Sequence, residues 1–334
     1  MTIILATVVT MLLLVSCPTP EDKQAEDIPA VGTKYDDEEN NLRYIVNDDR
    51  TLSVKGPIDS ELADWVCIIP EEYEGIKVTS IGKHAFLGCS KLASITIPGS
   101  VTSIGSYAFY DCYSLTSITV SDNNKYYKSI DGVLFDKNVQ KIIAYPCSKS
   151  SNYYTIPDSI TSIGDGAFRD CYSLNSITIP DSVTSIGDYT FFYCYSLTSI
   201  TVSDNNKSYK SIDGVLFDNN VQKIIAYPCG KSSNYYTIPD SVTSIGSFAF
   251  EGCSNLNSIT IPDSITSIGN FAFYGCSGLT SITIPKSVTS IGDGAFRECS
   301  SLTEIHINKP ENSISGSPWR APNGESIVKW QGQF

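Results

Sequence analysis

A sequence of about 23 residues recurs seven times in this chain of 334 residues, and this repeat restricts the folds available to it. The clearest copy, IPGSVTSIGSYAFYDCYSLTSIT, runs from Ile97 to Thr119. Other copies begin at Ile156, Ile179, Ile238, Ile261 and Ile284, and a weaker first copy spans Glu74 to Thr96. A short unit that cannot bury its own apolar face must stack on its neighbours. The repeat therefore predicts a solenoid with long, nearly flat faces, and it favours a binding or surface protein over an enzyme.

Within the repeat, apolar residues recur at fixed positions. In the copy that starts at Ile97 they are Ile97, Val101, Ile104, Ala108, Phe109, Cys112, Leu115 and Ile118. The last four residues alternate inward and outward, as in a half-buried strand, and Pro98 ends that strand because it has no N–H to donate. The recurrent Gly105 indicates a tight turn or a positive φ. The A-F-x-x-C segment is too short for a full helix and predicts a turn or a 3₁₀ piece.

Units such as SVTSIGSYAFYDCYSLTSITV and SITSIGDGAFRDCYSLNSITIP resemble the BspA-like, or treponemal-type, leucine-rich repeat family over roughly residues 65 to 306. The resemblance implies a right-handed, β-rich solenoid in which a parallel β ladder faces a wall of short turn or 3₁₀ segments. It also implies a bacterial cell-surface protein that attaches to host matrix proteins or to other bacteria. The family has no shared catalytic residues, and we expect neither catalysis nor a cofactor.

Two 36-residue inserts, at 120–155 and 202–237, interrupt the array and differ at three positions only: Tyr126/Ser208, Lys137/Asn219 and Ser148/Gly230. In each insert, GVLFD and VQKIIAY are strand-like runs separated by a polar turn, which predicts a hairpin. We interpret each insert as an expanded coil of the same solenoid. Equivalent atoms of the two inserts should then lie roughly 14–19 Å apart. The near identity is explained either by paired binding surfaces or by a recent duplication.

The ends of the array have the composition of caps, which an open solenoid needs to cover its terminal cores. Residues 41–73 contain two alternating runs around Asn47-Asp48-Asp49, which predict a hairpin before the 74–306 solenoid. Residues 307–334 are rich in Pro, Gly and Ser and end in a strand-like IVKW run. Because large aromatic side chains cover exposed apolar ends well, we expect Trp319 and Trp330 to pack on the last coil.

Residues 1–16 form an apolar stretch that ends at Cys17 and has the length of a signal-peptide core. Leu14-Val15-Ser16-Cys17 resembles a bacterial lipobox, which predicts cleavage and acylation at Cys17, although no Lys or Arg precedes the apolar run. An uncleaved apolar anchor is the alternative. Residues 17–40 carry eight acidic residues against two lysines and predict a disordered tether. With a formal charge of −13, the protein should contact a membrane only through its lipid and should not bind nucleic acid.

Seven of the 11 cysteines occupy one repeat position, namely Cys89, Cys112, Cys171, Cys194, Cys253, Cys276 and Cys299. Stacked coils would hold them parallel at about 5 Å, which is unfavourable for disulfides, so we expect buried free thiols. Whether Cys67, Cys147 and Cys229, which lie outside this repeat position, are also buried free thiols is left open. No C-x-x-C pair indicates zinc. Asp122-Asn123-Asn124 and its copy at 204–206 are interpreted as turns rather than calcium loops.

Two surfaces are candidates for binding. The first is the outward side of the predicted strands, with Ser94, Thr96, Ser117, Thr119, Ser176, Thr178, Ser199, Thr201, Ser258, Thr260, Ser281 and Thr283. The second is formed by the insert tyrosines Tyr126, Tyr127, Tyr145, Tyr153, Tyr154, Tyr209, Tyr227, Tyr235 and Tyr236, some of which must be core. Tyrosine is enriched where proteins meet, whereas hydroxyl side chains also suit any solvated sheet. The sequence thus predicts a lipid-anchored, outward-facing adhesin of the bacterial envelope, or else an inward-facing envelope scaffold.

Overall fold

The computed structural model describes residues 29–311, 313–316, 319–322 and 324–331, and it is a β-solenoid. The N-terminal part contains β1 (Lys34–Asp37), β2 (Leu42–Val46), β3 (Leu52–Pro57), β4 (Trp65–Ile68), β5 (Glu72–Tyr73), β6 (Ile76–Ile81), β7 (Leu92–Ile97), β8 (Ser103–Ile104) and β9 (Ser117–Val120). The predicted hairpin is confirmed, since β2 pairs antiparallel with β3. The predicted boundary of the tether is wrong, because β1 lies before residue 40 and pairs with β2.

The middle of the chain repeats one block. Its strands are β10 (Tyr127–Ile130), β11 (Val133–Asp136), β12 (Lys141–Ala144), β13 (Tyr153–Thr155), β14 (Ser162–Ile163), β15 (Ser176–Ile179), β16 (Ser185–Ile186) and β17 (Ser199–Val202). The second block has β18 (Tyr209–Ile212), β19 (Val215–Asp218), β20 (Lys223–Ala226), β21 (Tyr235–Thr237), β22 (Ser244–Ile245), β23 (Ser258–Thr260), β24 (Ser267–Ile268), β25 (Ser281–Ile284) and β26 (Ser290–Ile291). The chain continues with β27 (Glu304–Ile307), a 3₁₀ turn (Gly324–Ile327) and β28 (Val328–Trp330).

Each repeat coil contributes two parallel strands. The predicted strand at the end of the repeat forms a long-strand ladder in four sheets, β4-β7-β9, β13-β15-β17, β21-β23 and β25-β27-β28. A second ladder, which the sequence pattern did not predict, is formed by the two-residue Ser-Ile strands that precede the recurrent glycine. Each insert interrupts both ladders, and the long-strand ladder is also divided between β23 and β25, where no insert lies.

The third side of each coil is the A-F-x-x-C segment with the residue on either side of it, here called the turn wall. It consists of turns closed by bonds such as Cys89 N–H to Phe86 O at 3.1 Å, as predicted. Two positions of the turn wall have positive φ in all seven copies. They are occupied by His84, Tyr107, Gly166, Tyr189, Phe248, Phe271 and Gly294, and by Gly88, Asp111, Asp170, Tyr193, Gly252, Gly275 and Glu298. The recurrent Gly105 instead serves close approach, because a Cβ there would lie 2.3 Å from the backbone N of Lys83.

The apolar side chains form a core whose aromatic rings stack from coil to coil. Phe250 stacks on Phe273 at 5.1 Å, and Phe273 on Phe296 at 5.7 Å. The column ends on Trp319, 6.2 Å from Phe296, and begins with Trp65, 5.9 Å from Phe86. The predicted capping by Trp319 and Trp330 is confirmed, since both are buried. Trp65 has the matching role at the other end, which the sequence did not predict.

The cysteines form a second column inside the turn wall. All ten described cysteines are buried and free, as predicted for the seven at the repeat position. Eight of these thiols also donate to a backbone carbonyl oxygen; for example, Cys194 Sγ donates to Phe168 O at 3.0 Å. Cys147 and Cys229 belong to the same column, because their thiols donate to the carbonyl oxygens of Cys112 and Cys194. Burial raises the pKa of Cys112 well above its usual value, which keeps that thiol protonated.

The inserts are expanded coils, as predicted. In each one, three strands form an antiparallel meander (β10-β11-β12 and β18-β19-β20), and the third strand joins the short-strand ladder. The central strands of the meanders, β11 and β19, have buried core residues. Asn124 fixes the start of the first insert: its amide donates to Pro98 O and Val101 O and accepts the N–H groups of Tyr126 and Tyr127. The motif that includes Asn124 is therefore a turn, as interpreted.

Each insert omits most of the turn wall, which leaves a gap between the flanking coils. Between adjacent coils, the backbone spans this wall, as in Gly88 N–H to Tyr110 O at 2.9 Å. Across the first insert, Asp111 N–H instead donates to the Asp170 carboxylate at 3.2 Å. Across the second, Tyr193 N–H donates to the Glu251 carboxylate at 2.9 Å. At both gaps, an acidic side chain thus accepts the N–H that a backbone carbonyl oxygen of the next coil accepts elsewhere.

Candidate functional site

The outward side of the long-strand ladder, here called the strand face, holds all twelve predicted Ser and Thr residues. The core side of these strands carries Ile and Val, so Ser and Thr alternate outward, half-buried or exposed. The residues stand in register from strand to strand; Ser94 pairs with Ser117, and Thr96 with Thr119. The structure therefore brings the predicted residues together in two rows within each sheet.

Other Thr residues of the repeat have a structural role. Thr116 donates its hydroxyl to Ala93 O in the preceding coil at 2.9 Å, and Thr198 and Thr303 make the equivalent bonds. These residues precede the strand face and are exposed, and their hydroxyls bind the backbone of the preceding coil. The abundance of hydroxyl side chains thus has two causes, namely hydrogen bonding between successive coils and the outward rows of the strand face.

The insert tyrosines divide into structural and exposed groups. The Tyr127 hydroxyl accepts the Ile104 N–H at 3.0 Å, and Tyr209 binds Ile186 in the same way. Tyr145 continues the aromatic column, 5.2 Å from Phe168. Of the other insert tyrosines, Tyr227 is buried, and Tyr154 and Tyr236 are half-buried. Tyr126, which has no tyrosine counterpart in the second insert, is exposed. Tyr127, Tyr154, Tyr209 and Tyr236 are therefore half-buried and packed against the core, and their part in a binding surface stays a prediction.

The remaining pair, Tyr153 and Tyr235, lies on the strand face itself. Tyr153 begins β13 and pairs in register with Ser176, and Tyr235 begins β21 and pairs with Ser258. Their side chains are 67% and 68% exposed, more than the other large apolar or aromatic residues described as exposed. The sequence contained a signal for this placement, because Y-Y-T-I-P at 153–157 aligns with S-I-T-I-P at 176–180. The two predicted surfaces thus form one.

One row of the strand face has a period of three strands. In chain order, its described members read Val66, Ser94, Ser117, then Tyr153, Ser176, Ser199, then Tyr235, Ser258, Ser281 and Glu304. A large exposed side chain begins each set, and two serines follow. Between two sets, the turn of the insert meander occupies the position of one further strand, because Ile118 N–H donates to Gly132 O and Ile200 N–H donates to Gly214 O. Tyr153 and Tyr235 are therefore separated by four strand spacings of roughly 4.8 Å, or about 19 Å.

The residues that the structure describes contain no group of three or more His, Cys, Asp or Glu side chains placed to hold a metal ion. Within the same residues, no helix has the length and apolar character needed to cross a membrane. The predicted lipidation site, Cys17, lies outside the described residues, as does the predicted signal sequence. A solenoid of repeated coils, with a ladder of parallel strands over an apolar core, is the architecture of a leucine-rich repeat protein.

The family follows from direct comparison. The model of the BspA-type leucine-rich repeat region matches in six copies over residues 73–144, 140–228 and 223–321, and the chain belongs to this family. A leucine-rich repeat protein from Eubacterium ventriosum is 25% identical over 90% of this chain and 78% of its own, with a TM-score of 0.58. A leucine rich cell surface protein from Faecalibacterium prausnitzii is 28% identical over 92% of this chain and 96% of its own, with a TM-score of 0.45. No curated protein matches the sequence.

Proposed function

We propose that this protein binds other proteins non-catalytically through the strand face, as a lipid-anchored adhesin of the bacterial surface. The observation that carries the proposal is the placement of Tyr153 and Tyr235, both about two-thirds exposed, in register with rows of serine and threonine. Exposed tyrosine offers a large contact area at low entropic cost, and neighbouring hydroxyls supply adaptable hydrogen bonds. This combination suits a protein partner.

The spacing of the row supports a repetitive partner. Two equivalent tyrosines about 19 Å apart on a stacked scaffold can engage two copies of one motif at once. The second contact is then intramolecular, and effective concentration raises the overall affinity well above that of one site. A partner with a matching repeat, such as a fibrous matrix protein or an array on another bacterium, would use both sets.

The charge of the chain limits the partners. With 36 acidic against 23 basic residues, the formal net charge is −13. Such a chain repels nucleic acid and anionic lipid headgroups. Membrane attachment is therefore assigned to an acyl-modified Cys17 rather than to the folded surface.

The cellular location is tested by protease treatment of intact cells. The adhesin proposal expects cleavage of the folded chain or its acidic N-terminal segment, whereas an inward-facing envelope scaffold would be protected until the envelope is opened. Labelled fatty acid should be incorporated into the parent and lost in Cys17→Ala. Equal label in both chains would remove the lipid anchor from the account.

The binding activity is tested by capture from defined components. The purified chain is immobilised and offered a panel of extracellular matrix proteins and, separately, envelope fractions of other bacteria. Saturable capture of a matrix protein or a foreign envelope component supports the adhesin. Capture of components of the producing cell's own envelope alone favours the inward-facing scaffold, and no capture from either source contradicts both.

A further inference from the structure

The two ladders of the solenoid end differently at the N-terminal side of the molecule. The short-strand ladder continues through β6 and β3 into β2 and β1, so the N-terminal cap covers it. The long-strand ladder stops at β4, which pairs with β7 alone among the described strands. At the other end of the same ladder, β28 is added to β27. The edge of β4 is therefore one to which the described part of the chain contributes no strand.

Backbone groups of β4 are directed toward this open edge. The N–H groups of Trp65 and Ile69 donate to carbonyl oxygens of the next coil, on the β7 side. Because successive residues of a strand direct their backbone groups to opposite edges, the N–H and C=O groups of Val66 and Ile68 point away from β7. No described residue is hydrogen-bonded to these four groups. They are available to pair with another strand.

The side chains beside the open edge are apolar. Val66 and Ile68 occupy the outward positions that Ser94 and Thr96 occupy on β7, and they are 58% and 57% exposed. Exposed edge strands normally carry charged residues or proline, which prevent unwanted pairing. The edge strand β1, with the sequence KYDD, follows this rule. The outward side of β4 instead offers two branched apolar side chains for a partner to cover.

Acidic residues flank this apolar strand on both sides. Residues 58–76 contain no Lys or Arg and carry six acidic side chains, namely Asp59, Glu61, Asp64, Glu71, Glu72 and Glu74. Two lysines on neighbouring segments, Lys77 beside Glu72 and Lys91 beside Trp65, offset part of this charge. A second copy of the chain would bring like charges to the contact and be repelled, whereas a segment with basic ends would be attracted.

We propose that the open edge of β4 binds an extended segment of a partner protein, which adds one further strand to the long-strand ladder. The segment has apolar side chains at alternate positions, which cover Val66 and Ile68, and Lys or Arg at both ends, which meet the acidic flanks. Its backbone pairs with the four open groups of these two residues. The contact does not use Tyr153 or Tyr235, so this proposal and the proposed function can fail separately.

Binding is measured by titrating the full chain into the fluorescent peptide KKTVTVTKK and recording anisotropy. The first control, EETVTVTEE, keeps the apolar pattern and reverses the charge. The second, KKTPTPTKK, keeps the charge and removes N–H groups needed for strand pairing. We expect saturable binding of one equivalent of the first peptide, weakened by salt, and affinities at least about tenfold lower for both controls. Equal binding of the three peptides, or no saturable binding of the first, would overturn the proposal.

Hydrogen–deuterium exchange locates the bound peptide. Because the N–H groups of Val66 and Ile68 become hydrogen-bonded in an added strand, KKTVTVTKK should slow exchange in the segment 65–69. The acidic control peptide at the same concentration should leave that exchange unchanged. Slowed exchange elsewhere in the chain, with none at 65–69, would show that the basic peptide binds another acidic surface and would contradict the assignment.

Two kinds of variant separate side chains from backbone. Val66→Ser with Ile68→Thr gives β4 the outward residues of the next strand, so it should fold and bind the peptide at least about tenfold more weakly. Ile68→Pro removes one open N–H without removing a bond to β7 and should weaken binding similarly. Ile130→Thr with Ile212→Thr is the control, at apolar residues 38% and 36% exposed on β10 and β18.

The control variant should bind the peptide like the parent, and circular dichroism checks that each variant is folded. If Ile68→Pro does not fold, the Ser and Thr pair still tests the edge. Undiminished binding by that folded pair would overturn the proposal. Sedimentation of the parent without peptide tests the other occupant: a dimer that dissociates in the same pair would assign the edge to a second copy and would also overturn the proposal.

Discussion

Tyr153 lies beside Ser176 on neighbouring parallel strands, with their Cα atoms in register. This pairing places an insert tyrosine in the same outward row as the serines of the repeat, and Tyr235 repeats the arrangement beside Ser258. The inserts therefore do more than extend the solenoid. They introduce a large exposed side chain into a face that otherwise carries small hydroxyl groups, at a regular interval.

The turn residue Asn124 should be essential for stability. Its buried amide makes four hydrogen bonds to the backbone, and Asn124→Ala would leave those groups unsatisfied. We expect the free energy of unfolding to fall by at least about 2 kcal/mol, measured by urea denaturation. The exposed turn residue Asn138 is the control, and Asn138→Ala should cost at most about 0.5 kcal/mol. Equal small effects, or a midpoint raised by added calcium, would contradict the structural role.

The cysteine column should be reduced and protected. All ten described thiols are buried, and burial raises the pKa of Cys171 and Cys253 well above the usual value, so thiolate is scarce. A thiol reagent should modify few of them in native protein and nearly all after denaturation without reductant. Resistance of the denatured, unreduced chain would indicate disulfides and contradict the parallel stacking of the coils.

Stability should depend on pH through Glu251. Burial raises its pKa to about 7 from an ordinary value of 4.5, although the Tyr193 N–H and Arg169 oppose the shift. The folded state thus binds the proton more tightly than the unfolded chain. Its contribution to stability is complete below pH 4.5 and is lost as pH rises through 7, by up to about 3 kcal/mol.

The measurement for Glu251 is the urea midpoint between pH 5 and 8. Glu251→Gln should flatten the decline of the free energy of unfolding with pH, because the amide does not ionise. Glu61→Gln, at an exposed position, should follow the parent. A Glu251→Gln curve parallel to that of the parent would show that Glu251 titrates normally.

Much of the fold could be predicted from the sequence because the same pattern of apolar residues recurs in each copy of the repeat. The alternation before Pro98 gave the long strands, and the shared position of Cys194 and its counterparts gave the buried column. The second ladder was missed because a two-residue strand such as Ser103–Ile104 is too short for alternation to reveal it.

The site was less predictable, for a different physical reason. Whether Tyr153 faces outward depends on strand register, which the repeat alignment could have supplied. The gap at each insert depends on the shortened turn wall. It does not follow from composition or periodicity, because it arises only when distant coils are stacked.

The most direct test of the central claim compares two pairs of Tyr→Ser substitutions for affinity toward the protein captured in the binding panel. Tyr153→Ser with Tyr235→Ser alters the strand face. Tyr113→Ser with Tyr195→Ser makes the same change at two less exposed tyrosines, 42% and 45% exposed, on the turn wall. Serine occupies the equivalent positions in other coils at Ser176 and Ser254, so both variants should fold.

Surface plasmon resonance should show affinity weakened at least about tenfold in the first variant, equivalent to ~1.4 kcal/mol. The turn-wall variant should bind like the parent. Undiminished binding by the strand-face variant, or a loss confined to the turn-wall variant, would contradict the claim that the strand face is the binding surface.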